Sequence, residues 1–113
     1  MPHSLIVPVI QAPEYRVGLE HCDDLTLVHC TIDVPWTSSV RRRALRDFGT
    51  LLRLHGGPLY ALEVDDDPRH PKFLRLFRFR VVGTSQNADT GRTVNLWMTQ
   101  RGEYEEHHGW IQD

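Results

Sequence analysis

Leu25-Thr26-Leu27-Val28-His29-Cys30-Thr31-Ile32-Asp33-Val34, followed by Pro35-Trp36-Thr37-Ser38-Ser39 and a helical run ending at His55, is the stretch that decides the fold. Residues 25–34 are rich in Leu, Val, Ile and Thr, with apolar residues on both alternating faces. That is the pattern of a strand covered on both sides, which predicts the centre of a sheet. Thr37, Ser38 and Ser39 offer side-chain oxygens for an N-cap. Val40, Ala44, Phe48, Leu51, Leu52 and His55 then recur at helical spacing, and Gly56-Gly57 supplies a stop, so a helix is expected over 39–55. Its apolar stripe faces a core, while Arg41, Arg42, Arg46 and Arg53 point elsewhere. Residues 58–64 read as a short strand, and the strand, helix, strand unit has the length a parallel crossover requires.

The rest of the chain attaches outward from this unit. Residues 5–10 form a strand that Pro8 confines to an edge or a bulge. Tyr15, Val17 and Leu19 alternate with Arg16, Gly18 and Glu20 in the period of two of a half-buried strand, and Asp23-Asp24 makes the turn. Downstream, Asp65-Asp66-Asp67-Pro68 ends the strand, and Pro71 fits the first turn of a second helix over 70–78. Residues 79–84 and 93–99 are strands joined by a hairpin loop rich in Asn, Asp and Gly. The expected architecture is α/β: a mixed sheet of about six strands, with the 39–55 helix on one face and the 70–78 helix on the other. Residues 1–99 form the single domain, and the polar, weakly periodic residues 100–113 follow as an acidic tail.

Composition narrows the function. With 113 residues, 40% hydrophobic and 25% charged, the chain holds one globular domain, and its apolar runs fall far short of the roughly 20 residues a membrane-spanning helix needs. Met1-Pro2-His3-Ser4 carries no basic or long apolar segment that marks a chain for secretion, so a cytoplasmic location is expected. The net charge of −2 hides an asymmetry: residues 1–40 carry one Arg against five acids, and residues 41–80 carry ten cations against five acids. Nucleic-acid binding is disfavoured by the net negative charge and by the lack of a helix-turn-helix or aromatic stacking platform. The spacings of His21, Cys22, His29, Cys30, His107 and His108 match no metal-ligand pattern, and the Asp65–67 run lacks the alternate spacing of a calcium loop. Ser38 and Ser39 lack a Gly-x-Ser-x-Gly turn, which removes a hydrolase. Arg and aromatic residues are the usual anchors of protein interfaces, and Trp36, Arg42, Arg46, Tyr104 and Trp110 supply both types.

The order of residues 25–83, with Val34-Pro35 after the central strand and Phe79-Arg80-Val81-Val82-Gly83 at the end, resembles the later part of the GNAT superfamily of N-acetyltransferases. Lys72-Phe73-Leu74-Arg75-Leu76-Phe77-Arg78-Phe79 is similar to a phrase typical of short GNAT-like proteins of tailed phages, several of which are internal virion or head-assembly proteins. The resemblance implies a reduced GNAT-like fold and, for the enzymes of the superfamily, acetyl-CoA bound at a glycine-containing turn before the helix. Here that turn reads Trp36-Thr37-Ser38-Ser39-Val40-Arg41 without glycine, so Thr37, Ser38, Ser39, Val40 and Arg41 are the cofactor-binding residues only if acetyl-CoA binds. The general acid's usual position falls on Leu74, which has no proton to donate, and the glycine before Phe79 is Arg78.

The expectation is therefore a non-catalytic phage structural or assembly protein, in the virion or host cytoplasm. It has no cofactor and no catalytic or metal-ligating residue, and it contacts a protein partner or further copies of itself within a larger assembly, away from any membrane. One alternative is an acetyl-CoA-dependent N-acetyltransferase with a divergent pyrophosphate loop. Another is a small inhibitor that binds a host protein.

Overall fold

A computed structural model describes residues 5–108, with side chains described through residue 106. The elements run β1 (Ile6–Gln11), β2 (Tyr15–Cys22), β3 (Leu25–Ile32), α1 (Ser38–His55), β4 (Leu59–Leu62), α2 (Arg69–Leu76), β5 (Arg80–Gln86), β6 (Thr93–Thr99) and α3 (Arg101–His108). The six strands form one sheet in the order β1-β2-β3-β4-β6-β5. Only β3 and β4 are parallel; every other neighbouring pair is antiparallel. Pro8 lies in the edge strand next to a register shift between Pro8 and Ile10, where a residue without a backbone donor is tolerated.

The helix signals act where the sequence puts them. Thr37 is extended and its Oγ1 accepts a hydrogen bond from the Val40 N–H at 3.2 Å, so Thr37 is the N-cap and the helix begins at Ser38. Gly56 ends it at φ 80°, donating its N–H to the Leu52 carbonyl. The buried face of α1 is Val40, Ala44, Leu45, Phe48 and Leu52.

Both long-range crossovers put their helices on one face of the sheet, which corrects the expectation of helices on opposite faces. In β4, Leu59 and Ala61 are 0% and 4% exposed and join the core cluster, whereas Tyr60 and Leu62 point the other way and are half-buried. That cluster also holds Phe48 of α1, Leu74 of α2 and Tyr104 of α3. The Phe48 and Phe77 rings meet edge to face at 5.4 Å, linking α1 to the end of α2. The reason is handedness: the step from β3 to β4 and the step from β4 past β6 to β5 move the same way across the sheet. Right-handed connections then place both helices on the same side. On the face of β3 away from the helices, Leu27 is buried but His29 and Thr31 are exposed, so that face is not covered along the strand.

The segment read as an acidic tail instead begins with α3, whose polar surface hides its one anchor. Tyr104 is 2% exposed, and its hydroxyl donates to the Leu45 carbonyl at 2.5 Å. Burial raises its pKa, keeping the phenol a neutral donor. Gly49 leaves room for it, because a Cβ there would sit 3.1 Å from the Tyr104 ring. Arg80 of β5 holds the outer side of α3 through Glu103, with Nη2 to Oε1 at 3.1 Å.

Arg78 closes α2 in the left-handed region at φ 63°. The Phe79 N–H reaches the Leu74 carbonyl at 3.0 Å and the Arg78 N–H reaches the Arg75 carbonyl at 3.0 Å, with Leu74 and Phe79 both buried. This is a Schellman ending with Arg at the position glycine normally takes. A left-handed residue with a Cβ costs about 1–2 kcal/mol, so Arg78→Gly should stabilise the fold, by about 0.5–1 kcal/mol after the added freedom of the unfolded chain is subtracted. Phe48→Ala should lower stability by about 3–5 kcal/mol, a large part of a small domain's total. Urea unfolding followed by tryptophan fluorescence reads both, and a destabilised Arg78→Gly would show that the Arg78 side chain has a role outweighing its backbone.

Candidate functional site: a cleft where the central strands part

β2 and β3 pair along their whole length, from Tyr15 opposite Ile32 to Cys22 opposite Leu25, whereas β3 and β4 share a single register position, Leu27 opposite Tyr60. Beyond Leu27 the parallel strands diverge, so residues 28–32 of β3 have a strand neighbour on one side only. A cleft of about 940 Å³ opens there, between Val28 to Ile32 on one wall and Ala61 to Val64 on the other. Tyr15, Phe48 and Phe77 floor it, and Asp67, Arg69, His70 and Lys72 stand at its mouth on the turn and helix after β4. Trp36, 39% exposed, leans over the rim with its ring 5.6 Å from Phe73 and 6.5 Å from Phe77.

Two polar groups of the cleft, the Tyr15 hydroxyl and His70 Nδ1, are engaged with their own chain. The Tyr15 hydroxyl donates to the Asp47 carboxylate of α1, and burial, reinforced by that bond, raises its pKa. Cys30 is exposed at the residue level, and desolvation of its thiol, with Asp33 nearby, pushes the pKa up to about 11. The Val64 N–H donates to His70 Nδ1 at 2.9 Å, which fixes the neutral ring with its proton on Nε2. Desolvation lowers the His70 pKa, against the opposing pull of Asp67 and Glu63.

The first turn of α1 stands next to Trp36 but supplies none of the cleft's walls. Thr37 is occupied as the cap, Val40 is buried at 5%, and Ser38, Ser39 and Arg41 are exposed. Of the interface residues read from sequence, Trp36 and Arg42 are exposed near that turn, and Arg46 is half-buried with its Nε 3.7 Å from Asp47. Tyr104 lies inside the core, and Trp110 lies outside the described residues, as do the side chains of His107 and His108.

Among the described residues no three His, Cys, Asp or Glu side chains converge as a metal site. His21 bonds Thr26 at 3.0 Å and His29 bonds Glu20 at 2.8 Å. The three adjacent aspartates are structural: Asp65 accepts from Thr90 at 3.2 Å and Asp66 from Arg92 at 2.9 Å, tying the turn after β4 to the β5–β6 loop, and Asp67 accepts from Arg69 at 3.2 Å at the start of α2. No helix among the described residues is long and apolar enough to cross a membrane.

Sequence reasoning missed Tyr15, His70, Arg69 and Lys72 as neighbours of one cavity. The available signal was the run of Arg69, Lys72, Arg75 and Arg78, four cations with no acid between them, which makes the segment after β4 basic. Where a parallel pair parts is a tertiary fact with no local pattern.

Because the folded state holds His70 neutral below its ordinary pKa of about 6.5, the unfolded chain binds the extra proton first. Stability should therefore fall as pH drops through about 6.5. The urea midpoint between pH 7.5 and 5.5 should drop more for the native protein than for His70→Gln, whose amide oxygen still accepts from Val64 without titrating. Equal drops would assign the pH dependence elsewhere.

No family model matches the chain, and no curated protein matches it significantly.

Proposed function

We propose that this chain is a non-catalytic structural or assembly protein that acts through protein–protein contacts on an acetyltransferase-like frame. The observation that carries the reading is the cleft itself: it is large and mostly apolar, with the Tyr15 hydroxyl in it bonded to Asp47 and the His70 Nδ1 to the Val64 N–H. The element order from β3 through α1, β4 and α2 to β5 supports the frame, and so does Arg78 in the left-handed position where the acetyltransferase pattern has glycine. The resemblance of residues 72–79 supports a phage virion or assembly role, in the host cytoplasm or the particle. Trp36 at the rim, with exposed arginines on α1 and α2, has the chemistry of an interface anchor.

A second reading, an acetyl-CoA-dependent N-acetyltransferase, draws on one feature: the exposed Ser38, Ser39 and Arg41 at the start of α1, beside the cleft rim. The host-protein inhibitor uses the same contacts as the assembly protein and differs only in whose surface is bound.

Calorimetric titration with CoA and acetyl-CoA, with light scattering on the same sample, separates these readings. The expected outcome is no heat at millimolar cofactor together with a defined oligomer or a co-purifying protein. Micromolar cofactor binding that Arg41→Glu abolishes would overturn the non-catalytic reading.

A further inference from the structure

We propose that the gap between β3 and β4 is a receptor groove for an extended segment of a partner protein, apolar at alternate positions and acidic where it leaves the groove. The inference rests on the protein-contact reading above and names its site and the partner's chemistry.

Three features combine. The first is backbone: from Val28 to Ile32, β3 pairs with β2 on one side, and on the other it meets β4 only at Leu27 opposite Tyr60. A strand with one free side offers alternate N–H and C=O groups to an incoming chain, the mode by which peptides add to sheets. The second is the floor. Tyr15, Phe48, Phe77 and Ala61 make an apolar bed under that free side, so every second side chain of an added strand, repeating at about 6.6 Å, enters apolar surroundings.

The third feature is charge. Residues 69–80 hold Arg69, Lys72, Arg75, Arg78 and Arg80 and no acid. The first four are exposed, Arg69, Lys72 and Arg75 on α2 and Arg78 just past its end. Arg69 and Lys72 border the groove directly. Asp67 also borders it, but Arg69 neutralises it with Nε 3.2 Å from Oδ1, so the mouth remains net positive. Arg75 is held in place over the Trp97 ring, 5.3 Å from its centroid. A segment entering with apolar residues and ending in Asp or Glu satisfies all three features. A phosphate backbone satisfies only the charge, because it has nothing to place on an apolar floor inside the sheet.

The test is selection of a random ten-residue peptide library on the immobilised full chain, with a twenty-nucleotide oligothymidine titrated in parallel. Enriched peptides should carry alternating apolar residues next to Asp or Glu. Their affinity should fall about tenfold or more on Lys72→Glu, and as far again when alternate peptide nitrogens of the winning sequence are methylated, a change that leaves the protein untouched. No enrichment over the bare support, or enriched peptides indifferent to both changes, would overturn the proposal. Oligothymidine binding that Lys72→Glu weakens, without peptide enrichment, would assign the basic surface to phosphates and overturn it as well. Cofactor titration stays separate: CoA binding removes the non-catalytic reading, whereas failure of the selection removes only the groove.

Discussion

The Phe48 ring is the contact on which the rest of the structure depends. It touches Phe77 at 5.4 Å, Phe79 at 5.7 Å and Tyr104 at 5.5 Å, and so joins α1 to the end of α2, the approach to β5 and α3 in one aromatic cluster. Aromatic pairs met edge to face or tilted contribute about 0.5–1.5 kcal/mol each beyond the area they bury. Here the geometry matters more than the sum. A domain with its three helices on one side of a six-stranded sheet has a single apolar layer, and any loss at its centre is felt by every element.

The same one-sided arrangement explains how the cleft stays open. β4 is only four residues long, paired with β3 at Tyr60 opposite Leu27 on one side and fully paired with β6 on the other. It is therefore held by β6 and by the burial of Leu59 and Ala61, and needs no further pairing with β3. At the far wall, β3 is held by eight paired positions with β2. Each wall is anchored to its own half of the sheet. Between them the stack of Trp36, Phe73 and Phe77 props the rim, with Phe73 and Phe77 centroids 4.9 Å apart. The separation of β3 from β4 is thus a stable feature of the packing.

The local rules were legible because they are local. The cap at Thr37, the stop at Gly56, the edge position of Pro8 and the turn at Asp23, with its φ of 54°, all follow from backbone sterics and short-range hydrogen bonds. The six strands and the parallel step from β3 to β4 followed from periodicity and connection length. Three things did not. The side chosen by α2 depends on the strand order, which places β6 between β4 and β5 although β6 comes last in the chain. α3 was hidden because its one buried apolar side chain, Tyr104, sits among Glu, Arg and Gly and leaves no periodic stripe. Tyr15 read as an ordinary inward strand residue, and its tie to Asp47 spans 32 positions, beyond any spacing rule.

Arg78 shows how a left-handed residue other than glycine carries physical information. At the junction of α2 and β5 the chain must turn through a left-handed residue so that Leu74 and Phe79 both reach the core. Glycine performs that turn without strain, and an arginine performs it only if the surrounding contacts hold it there. The paired hydrogen bonds from Phe79 to Leu74 and from Arg78 to Arg75, and the burial of Phe77 and Phe79 against Phe48, supply that hold. The arginine adds a fourth exposed cation to Arg69, Lys72 and Arg75, just past the end of α2. The proposed contact with something negative and partly apolar rests on this organisation: a strained turn accepted at the end of a helix, and a positive surface bordering an apolar gap. That organisation does not require the proton-transfer groups that the same gap keeps neutral and bonded.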